Sequence, residues 1–179
     1  MSFAFSRRSF LKYTAVAAVA VAGASLFTGC KIDTSDSYNA LRTTPGELTV
    51  LQVTAAMGRY VEASKSYTGP DDVTGTTIAF PFKITNGRAN PIYVNPNNFK
   101  ATVLNDKDEF ITKYTASNGL TLDASLCDTN LKKGASVSGN VTLTLGAALE
   151  PGQSVVLTYC PDLQYNEYSL NWKTTRPKG

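Results

Sequence analysis

Apolar and polar residues alternate with a period near two along most of the chain after residue 46. Ile78, Phe80, Phe82 and Ile84 alternate in TTIAFPFKIT, and Phe99, Ala101 and Val103 in NFKATVL. Phe110, Thr112 and Tyr114 follow on the next run. Val137, Gly139, Val141, Leu143 and Leu145 alternate with Ser138, Asn140, Thr142 and Thr144. Val155, Leu157 and Tyr159 form another set, and Tyr168, Leu170 and Trp172 a last one. Residues 47–56 (ELTVLQVTAA) read as one strand, with Leu48, Val50 and Gln52 on one face and Leu51 and Val53 on the other. Such alternation marks half-buried antiparallel strands, because successive side chains point to opposite faces of a sheet. Pro81 lacks a backbone N–H and predicts an edge strand or a bulge.

The punctuation agrees. Asn105-Asp106-Lys107-Asp108 predicts a tight hairpin turn, and Asn86-Gly87 and Asn90-Pro91 bracket a loop. Asn118-Gly119, Lys133-Gly134 and Pro151-Gly152 fall at strand boundaries. Residues 54–65 (TAAMGRYVEASK) are the one stretch that could hold a helical turn, and Gly58 weakens it. About seven to nine strands at this spacing predict an all-β, two-sheet sandwich over residues 47–179.

The order of segments carries a family resemblance. A strand ending Ile84-Thr85-Asn86 is followed by Pro91-Ile92-Tyr93-Val94, then by Asn98-Phe99-Lys100-Ala101-Thr102-Val103-Leu104 before a polar turn. Leu149-Glu150-Pro151-Gly152-Gln153-Ser154 precedes the final strands, and Trp172 closes the domain. The chain thereby resembles the immunoglobulin-like domain of unknown function found in Gram-positive, actinobacterial-type lipoproteins, a fold shared by a secreted mycobacterial immunogenic antigen. The resemblance covers residues 47–173. It implies an immunoglobulin-like antiparallel β-sandwich of seven to nine strands with an extracytoplasmic binding or interaction role. It carries over no catalytic residue.

Residues 1–29 have a different character. A short basic end is followed by an uncharged, Ala- and Val-rich stretch from Tyr13 to Gly29 (YTAVAAVAVAGASLFTG), the layout of an export signal. Its 17 residues fall short of the roughly 20 strongly apolar residues of a membrane span. Ser6-Arg7-Arg8-Ser9-Phe10-Leu11-Lys12 resembles the twin-arginine signature S-R-R-x-F-L-K, with Arg7, Arg8, Phe10 and Leu11 at its recognition positions. Phe27-Thr28-Gly29-Cys30 resembles a lipobox, with Phe27 where Leu is usual. That resemblance implies diacylglyceryl attachment at the Cys30 sulfur and cleavage before it. Two acyl chains on one residue provide stable anchoring, which one chain does not. Residues 30–46 are then the lipidated Cys and a polar tether, a coil of roughly 20–25 Å r.m.s.. Packing of Tyr38 and Leu41 onto the domain as a first strand is the alternative.

Charge changes meaning once the leader is set aside. The chain has 17 Lys+Arg and 14 Asp+Glu, a net of +3. Arg7, Arg8 and Lys12 account for that surplus, because residues 1–30 contain no acid; 14 bases face 14 acids in the remainder. A neutral domain lacks the excess base that nucleic-acid binding requires, so no nucleic-acid partner is expected. The expected partners are the membrane, through the lipid anchor, and an envelope protein or glycan.

Three cysteines are present. With Cys30 assigned to the lipobox, Cys127 and Cys160 form an even pair in an exported domain. A disulfide between them is expected, contributing about 3–4 kcal/mol in the chain-entropy model. Two thiolates without histidine do not make a zinc site.

The absence of histidine removes Ser-His-Asp and Cys-His mechanisms. No phosphate loop, zinc spacing or dinucleotide fingerprint occurs, and no cofactor is expected. Asp71-Asp72 and Asp106-Lys107-Asp108-Glu109 read as turns. Tyr165, Tyr168 and Trp172 near the C-terminus are the candidate binding patch, able to stack on sugars or anchor a protein if exposed together. By strand parity Tyr168 and Trp172 share a face, which is either core or surface. Tyr60 and Tyr67 are a second candidate patch. The expected function is that of a non-catalytic binding or interaction module of unknown ligand. A structural subunit of an envelope complex is the alternative, and a carboxylate-based hydrolase would require two acids converging in a cleft.

Overall fold

The computed structural model describes residues 39–111, 119–164 and 168–179. The leader residues Arg7, Arg8, Phe10, Leu11 and Cys30 lie outside the described residues, as does Tyr165. Among the described residues no helix is long and apolar enough to cross a membrane.

Two sheets face each other across one core. The larger runs β2 (Gly46–Val50), β3 (Val53–Met57), β6 (Thr77–Asn86), β11 (Ser136–Thr144), β9 (Gly119–Leu122), antiparallel throughout. The smaller runs β1 (Asn39–Arg42), β13 (Ser169–Thr175), β12 (Ser154–Tyr159), β8 (Phe99–Leu104). Its pairings are antiparallel except that β1 lies parallel to β13. Two ribbons are appended: β4 (Arg59–Val61) with β5 (Ser66–Thr68), and β7 (Ile92–Val94) with β10 (Thr129–Leu131). The order β3-β6-β11-β9 matches the A-B-E-D sheet of an immunoglobulin sandwich, and β13-β12-β8 matches G-F-C. The all-β sandwich read from the sequence is the observed fold, with nine strands in its two main sheets.

The alternating sets supply the core. Ile78, Phe80, Phe82 and Ile84 of β6 point inward beside Val141 and Leu143 of β11, and meet Val155, Leu157 and Tyr159 of β12 and Leu170 and Trp172 of β13. At the centre, Phe82 packs edge-on against Trp172, with ring centroids 5.0 Å apart, and against Phe99 at 5.4 Å. Tyr159 lies 5.0 Å from Phe99 and 6.0 Å from Phe82. The three edge-to-face pairs, those of Phe82 with Trp172, Phe99 and Tyr159, each contribute about 0.5–1.5 kcal/mol beyond the area they bury. The Trp172 indole N–H donates to the Gly46 carbonyl at 2.9 Å, so its one polar atom is satisfied inside the core.

Several expectations are corrected. Residues 47–56 form two strands, not one. Leu51 (φ 49°) and Gln52 (φ 59°) both adopt left-handed backbone and fold β2 back on β3. Two such residues make the type I′ geometry that matches strand twist, ordinarily Asn-Gly. Residues 54–65 hold no helical turn: Ala55 and Met57 are buried in β3, and Gly58 (φ 110°) turns the chain into β4. Pro81 stands in a strand paired on both sides, opposite Asn140. The β3 ladder ends one residue away, at Met57↔Phe82, and the Pro81 carbonyl accepts from Gly58 N at 2.8 Å. A residue's N–H and C=O point to the same side of a strand, so the missing N–H faces the place where β3 has ended.

Strand structure begins earlier than expected. Residues 39–42 form β1, and Gly46 opens β2, so the folded domain begins before residue 47. Ala40 packs against the core, and Asn171 Nδ2 donates to its carbonyl at 3.1 Å. Phe110 forms only an isolated bridge to Leu104 after the Asn105 turn, while Thr112 and Tyr114 lie outside the described residues.

Candidate binding groove

The β4–β5 ribbon folds over the outer face of the larger sheet. Gly58 permits this: its φ is 110°, and a Cβ there would stand 2.5 Å from the Thr68 carbonyl oxygen. Tyr60 and Tyr67 are directly opposed in the ribbon and pack edge-to-face, with centroids 5.2 Å apart at 60°. Tyr60 is 50% exposed. The Tyr67 hydroxyl donates to the Glu47 carboxylate of β2. Burial, then the Glu47 hydrogen bond and its negative charge, push the Tyr67 phenol up to about 12, so it stays a neutral donor at physiological pH. At the rim, Arg59 pairs with Asp71 at 3.2 Å.

The groove beneath has a volume of about 790 Å³ and opens broadly to solvent. Its floor comes from the outward positions of β6 and β11, where Pro81 pairs with Asn140 and Lys83 with Ser138. Asn140 is held by Asp123, whose Oδ2 accepts from the Asn140 backbone N at 2.7 Å and from Nδ2 at 3.0 Å. The site therefore combines two aromatic rings, one carboxylate, one ammonium, the rim guanidinium of Arg59 and neutral hydrogen-bonding groups on strands held by ladder pairing.

The C-terminal patch does not form as expected. Trp172 is fully buried in the aromatic core, because β13 is an interior strand of its sheet and turns this position inward. Tyr168 is half-buried and packs against the same core. Exposed aromatic surface lies instead at Tyr60, Tyr93 and Phe110, on separate elements. The expected Cys127–Cys160 disulfide is also absent: both are free thiols. Cys127 follows the turn Ala124–Leu126 and donates to the Leu122 carbonyl at 3.6 Å. Cys160 directly follows β12, a strand of the smaller sheet, and burial raises its thiol pKa. The immunoglobulin pattern of a cysteine pair joining the B and F strands is not available, because β6 contains no cysteine.

The acidic clusters are turns. Asp72 Oδ1 accepts from Thr74 N and Oγ1, both at 2.6 Å, and these bonds lower its pKa. Asn105 Oδ1 accepts from Lys107 N at 2.9 Å and Glu109 N at 2.8 Å. Asp108 pairs with Lys173, and Asp106 with Lys178 at 3.5 Å. Among the described residues no three His, Cys, Asp or Glu side chains gather as metal ligands.

Sequence reasoning singled out Tyr60 and Tyr67 but missed Glu47, Lys83, Ser138 and Asn140. The usable signal was parity: Lys83, Ser138 and Asn140 all occupy the polar phase of alternating strands. Their shared location required the β6–β11 register.

No protein-family model matches this chain, and no curated protein matches it. Solved structures similar to it include a candidate lipoprotein of Bacillus subtilis, YcdA, at 17% identity and a TM-score of 0.45. That match covers 74% of this chain and 39% of the lipoprotein, so this chain spans well under half of it. The YjhA protein of Bacillus subtilis matches at 11% identity and a TM-score of 0.40, covering 76% of this chain and 98% of the other. A FixG-related protein from Vibrio parahaemolyticus matches at 11% identity and a TM-score of 0.39, covering 70% and 94% respectively.

Proposed function

We propose that this chain is a lipid-anchored, extracytoplasmic, non-catalytic binding module. The twin-arginine motif at Arg7-Arg8 would export it, and Cys30 would carry the acyl anchor. The observation that carries the binding reading is the open groove in which Tyr60 and Tyr67 stand over the polar face of the larger sheet. Aromatic rings beside a largely apolar lining that carries a few polar side chains are the composition of recognition sites. The non-catalytic reading is supported by the carboxylates: Asp71, Asp72, Asp106, Asp108 and Asp123 each engage a local partner rather than converge in a cleft. The net charge of zero over residues 31–179 favours short-range contact over long-range capture of a charged partner.

The anchor is tested by mass spectrometry of the mature N-terminal peptide and by membrane fractionation. An acylated Cys30 in the membrane fraction is the expected result. A soluble product with an unmodified N-terminus downstream of Cys30 would overturn it. Replacement of Arg7-Arg8 by Lys-Lys should leave unexported precursor, and export at the wild-type level would remove the twin-arginine assignment.

A further inference from the structure

Resting on the binding-module reading, we infer that the groove under the β4–β5 ribbon takes a saccharide chain, and that Tyr60 is its stacking platform. Three features select this ligand class. First, the aromatic surface is offered as a ring beside polar groups, not as an apolar pit. Tyr60 keeps half of its surface in solvent although it is paired with Tyr67, and that exposed part of the ring is what a pyranose C–H side would stack on. Second, the polar groups suit hydroxyls: Glu47 accepts, Lys83 donates, and Ser138 does both. Third, charge nearly cancels. Glu47 opposes Lys83, Arg59 at the rim is paired with Asp71, and Arg42 beside Glu47 leaves one positive charge over, so a strongly charged ligand meets little matching field. A volume of about 790 Å³ that opens broadly to solvent suits part of a larger ligand rather than an enclosed small molecule.

The rigid parts are in place before binding. The Glu47 carboxylate holds Tyr67, Tyr67 backs Tyr60, and Gly58 fixes the angle of the ribbon. A ligand therefore pays little to order the site.

Affinity electrophoresis of the full chain, in gels carrying soluble glucan, mannan, galactan or solubilised cell-wall glycan strands, tests the inference. Retardation by at least one polymer is expected. Tyr60→Ala should weaken that retardation about tenfold, whereas Tyr60→Phe, which keeps the ring, should preserve it. Lys83→Ala, with the aromatic pair intact, should weaken it about threefold or more. Emission from the buried Trp172 shows whether each variant is folded. Failure of all the polymers to retard the chain overturns the inference, as does a folded Tyr60→Ala that binds like wild type. Acylation of Cys30 is read on the same preparation. A missing acyl group counts against the anchored module alone, and an acylated chain that no polymer retards counts against the saccharide alone.

Discussion

Tyr159 carries the sharpest energetic prediction, because its ring and its hydroxyl act in opposite directions. The ring is fully buried between Phe82 and Phe99, yet among the described residues the hydroxyl is buried without a hydrogen-bond partner. Leaving a buried polar group unmade costs about 1–3 kcal/mol. Tyr159→Phe keeps the ring contacts and removes that cost, offset by the dispersion lost with one oxygen. A net gain of about 1 kcal/mol in unfolding free energy is expected, read as a higher urea midpoint at unchanged m-value. Trp172→Phe, in the same aromatic layer, should do the reverse. It leaves the Gly46 carbonyl without the indole donor, at about 1–3 kcal/mol, and adds a cavity cost of about 1 kcal/mol or more. The pH dependence follows from the same burial, which raises the Tyr159 pKa above its ordinary 10.0. Above pH 10 the unfolded chain loses this proton first. Stability conferred by the neutral phenol is thus complete below pH 10 and falls by up to about 1.4 kcal/mol per pH unit above it. Tyr159→Phe should flatten that alkaline limb, with Tyr67, Tyr93 and Cys160, whose pKa values are also raised, contributing the residual slope. A Tyr159→Phe protein less stable than wild type by more than about 1 kcal/mol would show that the hydroxyl is satisfied, and would refute the reasoning.

Gln52→Gly relieves a left-handed residue that costs about 1–2 kcal/mol, against about 0.5–1 kcal/mol of added chain entropy. Thermal melts should show a net gain of about 0.5–1 kcal/mol, and a loss would mean that the Gln52 side chain contributes more than its backbone strain. Gly58→Ala places a Cβ against the Thr68 carbonyl at a φ of 110° and should cost about 1–3 kcal/mol; unchanged stability by denaturant titration would contradict the close approach of the ribbon. Cys127 and Cys160 should both accept iodoacetamide in denaturant without reductant, and a product lacking both adducts would mean that the mature protein is bridged.

The sandwich was legible because its two longest strands are buried mainly on one face. In β6 and β11 every second residue declares its side, and the two registers then follow from one another. Where a segment broke that rule it was misread. Leu51-Gln52 carries none of the Asn or Gly that usually marks a type I′ turn, so two strands looked like one. The four residues of β1 are too few to show a period, and they read as tether. The groove was half legible. The tyrosines stood out by type, but the polar floor is ordinary strand surface until the ribbon is placed above it. Trp172 illustrates the converse. Parity paired it with Tyr168 and left two faces open, and burial of the indole with its N–H on Gly46 decided between them.

The parallel pairing of β1 with β13 has a mechanical consequence. Residue 39 is where a chain fixed upstream would enter the domain, and Asn39↔Ser169 through Arg42↔Trp172 align the entering strand with the last one. Tension drawn along β1 from its N-terminal end would load these four pairs together, in shear, rather than peel them one at a time. Asn171 Nδ2 on the Ala40 carbonyl adds a side-chain stitch to the same seam, and Arg42 on the Glu47 carbonyl ties β1 to β2. A domain pulled by its N-terminus would thus be gripped where its hydrogen bonds resist a pull collectively.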